Sequence, residues 1–295
     1  MRVLNIGSLN IDYVYAVDHI LLPGETEDSA SRKVFLGGKG MNQSCALAKA
    51  GVEVYHGGMI GEDGKLFLDA CKTYGVNDTF IRTVEGPSGH AVIQIDKHAQ
   101  NSILLYGGAN QKLTEEYVDE VLGHFGAGDI LLLQNEVNLL PYIVDRAYEK
   151  GMQIALNPSP FNEKLTQVDM KKISIFILNE VEGFQLTGET LPQKIIDQLR
   201  SLFPHARIML TLGKEGAIYA DEAQQLFQPV FSVQAVDTTA AGDTFTGYFL
   251  AGLVEGLPIE QILRMSAKAS SIAVTRQGAV PSIPYREEVL AALQG

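Results

Sequence analysis

Leu36-Gly37-Gly38-Lys39-Gly40-Met41-Asn42-Gln43-Ser44 is a glycine-rich passage that leads into Cys45, Ala46, Leu47, Ala48 and Ala50, halts at Gly51, and is followed by Glu53-Val54-Tyr55-His56-Gly57. The small and apolar residues over 42–50, closed by a glycine, predict a helix with its C-cap. The short run at 53–57 predicts a strand. Glycines at the helix entrance permit positive φ and close approach of a ligand, and Lys39 and Asn42 add donors suited to sugar hydroxyls or a phosphate. The passage is not a P-loop, because that spacing and the Lys-Ser/Thr pair are absent.

The same alternation continues in both directions. Strands are predicted at 2–6, 130–133, 153–156, 175–178 and 207–212. Helices are predicted at 65–74, 115–125, 140–150, 192–203, 241–255 and 259–275. Strands alternating with amphipathic helices imply an α/β fold: a central, mostly parallel sheet with helices on both faces. Several strands end in polar side chains (Asn5 and Asn10, Gln134 and Glu136, Asn157, Asn179, Thr211), which converge on one crevice at the carboxyl ends of such a sheet. No repeat or linker divides the chain, so 1–295 is expected to be a single domain.

Two stretches break the rhythm. Residues 11–17 with 26–36, and 90–96 with 102–106, alternate like hairpin strands with no helix between them, and cannot extend a parallel sheet without crossovers. They are expected to form a small separate sheet, a lid over the crevice, from segments at about 11–36 and 89–107. One apolar face, assigned to Val14, Ala16, Val34, Val92, Ile103 and Leu105, needs covering by substrate or by a second subunit.

The net charge of −12 argues against a nucleic-acid or anionic-membrane partner. The N-terminus carries no signal-peptide pattern, and no apolar stretch approaches the ~18 residues of a membrane helix. Cys45 and Cys71 read as small core residues, and the six histidines show no metal-ligand spacing. A reduced cytoplasmic protein is the expectation.

Chemistry concentrates at Asp237-Thr238-Thr239-Ala240-Ala241-Gly242-Asp243-Thr244-Phe245-Thr246-Gly247. With a helix starting here, the amides of Ala240, Ala241, Gly242 and Asp243 are free donors at its positive end, and the small side chains let an anion approach. A carboxylate beside an anion hole suits proton abstraction from a hydroxyl that attacks a phosphoryl group. Asn179 and Glu182, i and i+3 at a helix start, share one face; the spacing fits either a helix cap or a pair holding water around Mg²⁺.

These motifs, with Gly7-Ser8-Leu9-Asn10-Ile11-Asp12, Pro23-Gly24-Glu25-Thr26, Gly107-Gly108-Ala109-Asn110, Asn157-Pro158, Thr211-Leu212-Gly213 and Ala273-Val274-Thr275-Arg276, resemble the PfkB carbohydrate kinase family almost end to end, and within it the ribokinase branch. The resemblance implies ATP-dependent phosphorylation of the 5-hydroxyl of D-ribose, with deoxyribose, another pentose or a nucleoside as the alternative acceptor. A non-catalytic sugar-binding regulator on the same fold is a further alternative. By resemblance, Asp243 is the general base and Ala240, Ala241 and Gly242 complete the anion hole with it. Asn10, Asp12, Gly38, Lys39, Asn42 and Glu136 would surround the sugar. Asn179 and Glu182 would serve the metal–phosphate end of ATP, Thr211 and Gly213 the nucleotide, and the helix near 267–271, with Lys268, the adenine. Asp237, Thr239, Ala273, Arg276, Gly278 and Ser282 would enclose a potassium ion, most through carbonyls. The β lid would also join a homodimer. Three residues depart from the family pattern: Tyr248 behind the catalytic turn, and Met41 and His90, which are expected near the sugar.

Overall fold

The computed structural model describes residues 1–98 and 100–294. In chain order its strands are β1 (Val3–Ile6), β2 (Asn10–Ala16), β3 (Ser31–Gly37), β4 (Val54–Ile60), β5 (Asn77–Thr83), β6 (Gly89–Ile95), β7 (Asn101–Tyr106), β8 (Ile130–Gln134), β9 (Gln153–Asn157), β10 (Ile175–Asn179), β11 (Arg207–Thr211), β12 (Gly216–Ala220) and β13 (Gln225–Pro229). The α-helices are α1 (Lys39–Lys49), α2 (Lys65–Tyr74), α3 (Glu115–Leu122), α4 (Leu140–Glu149), α5 (Glu180–Thr187), α6 (Pro192–Leu202), α7 (Ala241–Glu255), α8 (Ile259–Ala273) and α9 (Arg286–Gln294).

The main sheet runs β13-β12-β11-β10-β9-β8-β1-β4-β5. It is parallel from β5 to β11 and antiparallel at the β11–β12–β13 edge. Strand residues alternate between two cores. Val3, Ile130, Leu132, Ala155 and Ile177 pack under α1, α2, α7 and α8 with Leu47, Phe67, Phe249 and Leu263. Leu4, Ile6, Leu131, Leu133 and Leu156 pack on the opposite side with Val118, Ile143 and Ile196. Each such side chain, fully buried, contributes about 1.5–3 kcal/mol of transfer free energy. The strand order reverses between β1 and β8, so the crevice opens at their carboxyl ends.

The predicted elements are present, α2 and α7 with the expected bounds and the others with shifted ends; β5, β12, β13 and α9 are not among them, and of α5 only the start at Asn179 and Glu182 is. Helix α1 starts at Lys39 rather than 42, despite Gly40, because the Met41 amide donates to the Ser8 carbonyl (2.9 Å) and ties the first turn to the end of β1.

The second sheet has the order β3-β2-β6-β7. Its register corrects the apolar face expected from sequence. Tyr13 pairs with Val34 and Val92, whereas Val14 pairs with Lys33 and Ile93. Paired residues share a face and neighbours alternate, so Val34 and Val92 lie opposite Val14, Ala16, Ile103 and Leu105. The face carrying Asp12, Phe35 and Ala91 looks onto the crevice, where Phe35 lies beside Gly278. The outer face carries Tyr13, Val34, His90, Val92, Leu104 and Tyr106.

Candidate active site

Helix α7 begins at the crevice. Its N-cap, Ala240, is left-handed (φ 60°, ψ 11°), a conformation that costs a non-glycine residue about 1 kcal/mol or more. The turn leaves the amides of Ala240, Gly242 and Asp243 without a protein acceptor among the described residues. Contrary to the sequence expectation, the Ala241 amide is not free; it donates to the Thr238 carbonyl (3.2 Å). A Cβ added to Gly242 would meet no atom within 4 Å, so the space an anion needs is open.

Asp243, in the first turn, is 8% exposed. Its Oδ2 accepts from Asn42 Nδ2 (2.9 Å) and its Oδ1 from Gln43 Nε2 (2.8 Å), both on α1. The other end of the Asn42 amide, Oδ1, is buried with no partner and faces an unmet acceptor cost of about 1–3 kcal/mol.

The predicted sugar-side residues gather on the other flank of α1. Gly38 has φ +87°, and a Cβ there would lie 3.0 Å from the Asn10 amide and the Ser8 carbonyl, so the close turn requires glycine. Glu136 Oε2 accepts from the Ser8 hydroxyl and from the Lys39 amide (3.0 Å). Asn10 Oδ1 accepts from Asn110 Nδ2 (2.7 Å). Burial, reinforced by the Glu136 charge, pushes the Asp12 carboxyl up to about 7. Burial also raises Glu136, although Ser8 and Lys39 oppose it. For Lys39, burial favours the neutral amine, but Asp243, Glu136 and Glu182 outweigh it and hold the ammonium above its ordinary value.

Beyond Asp243 lies a cleft of about 230 Å³, lined by Lys39, Asn157, Asn179, Glu182, Thr211, Ala240, Gly242, Asp243 and Thr246, among others. Asn179 and Glu182 form a capping box: Asn179 Oδ1 accepts from the Glu182 amide (3.0 Å), and Glu182 Oε2 accepts from the Asn179 amide (3.0 Å). Both side chains nevertheless line the cleft, so capping the helix does not withdraw them from it. Gly213 opens the turn two residues past Thr211. On α8, Ala267 and Ser271 are buried, and the Lys268 amine stands 4.1 Å from the Phe231 ring centroid.

Of the residues expected around a monovalent cation, Asp237, Thr239 and Gly278 are joined directly. Asp237 accepts from the Thr239 and Gly278 amides (2.9 Å each), which hold its carboxyl below the usual range against the opposing effect of burial. The Ala273 carbonyl accepts from the Arg276 amide (3.1 Å). Ser282 is buried and donates to the Ala279 carbonyl (2.7 Å), and the Arg276 guanidinium pairs with Glu288. The guanidinium, itself a cation, contributes no oxygen to this loop, whose oxygens include the Asp237 carboxylate and backbone carbonyls.

Two departures expected near the sugar are elsewhere. Met41 is fully buried in the α1–α7 core. His90 is on the outer face of the second sheet, 4.9 Å centroid to centroid from Tyr106. Tyr248 is buried behind the α7 turn, its hydroxyl donating to the Pro284 carbonyl (3.0 Å). Sequence reasoning missed Gln43, Thr246 and Ser8 as site residues, although Gln43 adjoins Asn42 in the glycine-rich passage.

The pfkB family carbohydrate kinase model matches residues 2–286. Ribokinase of Haemophilus influenzae is 36% identical over 98% of this chain and 97% of its own. Deoxyribokinase of Salmonella typhi is 31% identical over 98% of this chain and 97% of its own. The structure of Arabidopsis thaliana ribokinase complexed with ribose and ATP superposes with a TM-score of 0.88 at 31% identity, covering 100% of this chain and 99% of that one. The chain belongs to the pfkB family of carbohydrate kinases.

Proposed function

We propose that this protein transfers the γ-phosphoryl group of ATP to the 5-hydroxyl of D-ribose, with Asp243 as general base. The observation that carries this reading is the Asp243 carboxylate, held at both oxygens between the Asn10–Glu136 flank and the cleft, beside the free amides of Ala240, Gly242 and Asp243.

The proton of the 5-hydroxyl passes to Asp243 as the sugar oxygen attacks, and the amides receive the charge that develops on the transferred group. Asn10, Asp12, Gly38, Asn42 and Glu136 hold the sugar hydroxyls, and the orphaned Asn42 Oδ1 gains a donor when the sugar enters. The Lys39 ammonium, facing Asp243, Glu136 and Glu182, bridges sugar and phosphate. Thr211 and Gly213 serve the nucleotide. Asn179 and Glu182 would hold water around Mg²⁺, which supplies charge neutralisation at the phosphates.

Carbonyls of the Asp237–Thr239 turn and of the Ala273–Ser282 segment would hold K⁺, fixing the turn that aims the α7 amides. Rates in potassium and in a large organic cation at equal ionic strength should then differ, and equal rates would remove that ion from the account. We read the chain as one domain with the second sheet as its lid and dimer contact. We place it in the cytoplasm, in keeping with the free thiols of Cys45 and Cys71.

Measuring kcat/KM by ADP release over ribose, 2-deoxyribose, fructose and adenosine tests the acceptor. Ribose is expected to lead, and loss of a matched hydroxyl to cost up to ~10⁴-fold. A preference for 2-deoxyribose would move this chain to the deoxyribose reading; release of ADP with no sugar would overturn the kinase reading.

A further inference from the structure

Asn42 is only one of the two amides that hold Asp243. The other, Gln43, is fully buried and engaged at every position. Its Nε2 donates to Asp243 Oδ1 (2.8 Å) and to Asn157 Oδ1 (3.2 Å), and its Oε1 accepts from Gln134 Nε2 (2.7 Å).

An amide can be turned end for end, but here a carbonyl fixes the direction. Asn5 must present Nδ2 to the Gly40 carbonyl (2.8 Å), because a carbonyl only accepts. Asn5 Oδ1 therefore faces Gln134, which presents Nε2 to it (3.1 Å) and to Gln43 Oε1. Gln43 is left with both N–H groups aimed at the crevice. The second Asn5 hydrogen goes to Ser44 Oγ (2.9 Å), which meets His56 Nδ1 (2.8 Å). His56 Nε2 lies 3.2 Å from the Gly7 carbonyl, so a neutral imidazole closes the chain. On its other branch, Asn157 reaches the Glu182 carboxylate (3.5 Å), so Gln43 also ties Asp243 to the capping box of α5.

We propose that Gln43 is a positioning residue for the phosphoryl transfer. It presents two N–H donors that fix the rotation of the Asp243 carboxylate and link it to the Asn157–Glu182 pair, and the Asn5–Gln134 relay sets its direction. The proposal rests on the reading of Asp243 as base.

Gln43→Met keeps the shape and removes the donors; Gln43→Glu keeps the length and places a second carboxylate beside Asp243. Rate–pH profiles are measured for both, and for the parent, on the sugar turned over fastest. The charged groups facing Asp243 (Lys39 on α1 and Glu136 after β8), and Glu182 on α5, which faces Lys39, are the same in every variant. With Gln43→Met, kcat is expected to fall about tenfold to a hundredfold while the sugar KM changes much less. The acid limb should move to higher pH, since losing a donor to the ionised base disfavours it, and further for Gln43→Glu, where like charges meet.

Folded variants with the parental kcat and acid limb, differing only in melting temperature, would overturn the proposal. If neither folds, Gln134→Met, which frees the Gln43 amide to turn, is read the same way. Asp243→Asn is run alongside. Full turnover there removes the base itself, whereas loss there beside parental Gln43 variants removes only the positioning role.

Discussion

Asp12 shows how the site sets its side chains against ordinary solution behaviour. Burial and the Glu136 charge hold its carboxyl near 7, against an ordinary value of 3.8. Between those values the folded chain keeps a proton that the unfolded chain has lost, so stability from this group declines as pH rises through that window. Asp12→Asn is therefore expected to be more stable than the parent at pH 8, by about 1–3 kcal/mol after allowance for solvent screening, with the advantage vanishing near pH 4. Buried His56, held down to about 4, has the opposite slope, losing stability as pH falls below its ordinary value. Only the difference between variant and parent isolates Asp12. Thermal denaturation at pH 4.5 and 8 provides it, and an equal difference at both would contradict the argument. The sequence marks Asp12 as a candidate sugar-side residue but not its protonation state, which depends on its burial and on Glu136 from a distant part of the chain.

At the scale of elements, the site exists because α1 and α7 touch. A Cβ on Gly247 would lie 2.3 Å from Ala46 Cβ, so glycine there lets the helices approach closely enough for Asn42 and Gln43 to reach Asp243. Gly247→Ala is expected to cost about 1–3 kcal/mol of stability through overpacking. It should also lower kcat by about tenfold or more, because it separates the base from its holders. A melting curve with a rate assay checks both, and unchanged values would contradict the packing account. Helix α7 was legible to the residue, since its N-terminal turn and its glycine C-cap both carry local signals. The faces of the second sheet were not. Both sides of its strands carry apolar residues (Tyr13 and Val14, Val34 and Phe35), so alternation alone cannot say which side is which, and only the register does. Gln43 was overlooked for a related reason: an amide in a glycine-rich passage gains meaning only once α7 is placed against α1.

The molecule as a whole joins parts far apart in the chain. The Asn42–Asp243 hydrogen bond spans 201 residues, and β1 and β8 open the crevice between them. The overall α/β order was readable because each strand and helix has its own local pattern, whereas the β12–β13 edge is short and interrupted by a polar turn. The outer face of the second sheet leaves Leu104 72% and Val34 47% exposed. An apolar sheet face of this kind fits a second copy of the chain. Light scattering at micromolar concentration should give a dimer for the parent and a monomer for Leu104→Glu. A monomeric, active parent would contradict the assembly.

The central claim is that Asp243 takes the proton from the acceptor hydroxyl, and single-turnover phosphoryl transfer by Asp243→Asn, with sugar binding titrated in the same preparation, tests it most directly. Sugar affinity is expected to stay close to that of the parent, while the transfer rate falls by about 10²–10⁴-fold. A transfer rate near the parent's, in a variant that still binds sugar and ATP, would contradict the account.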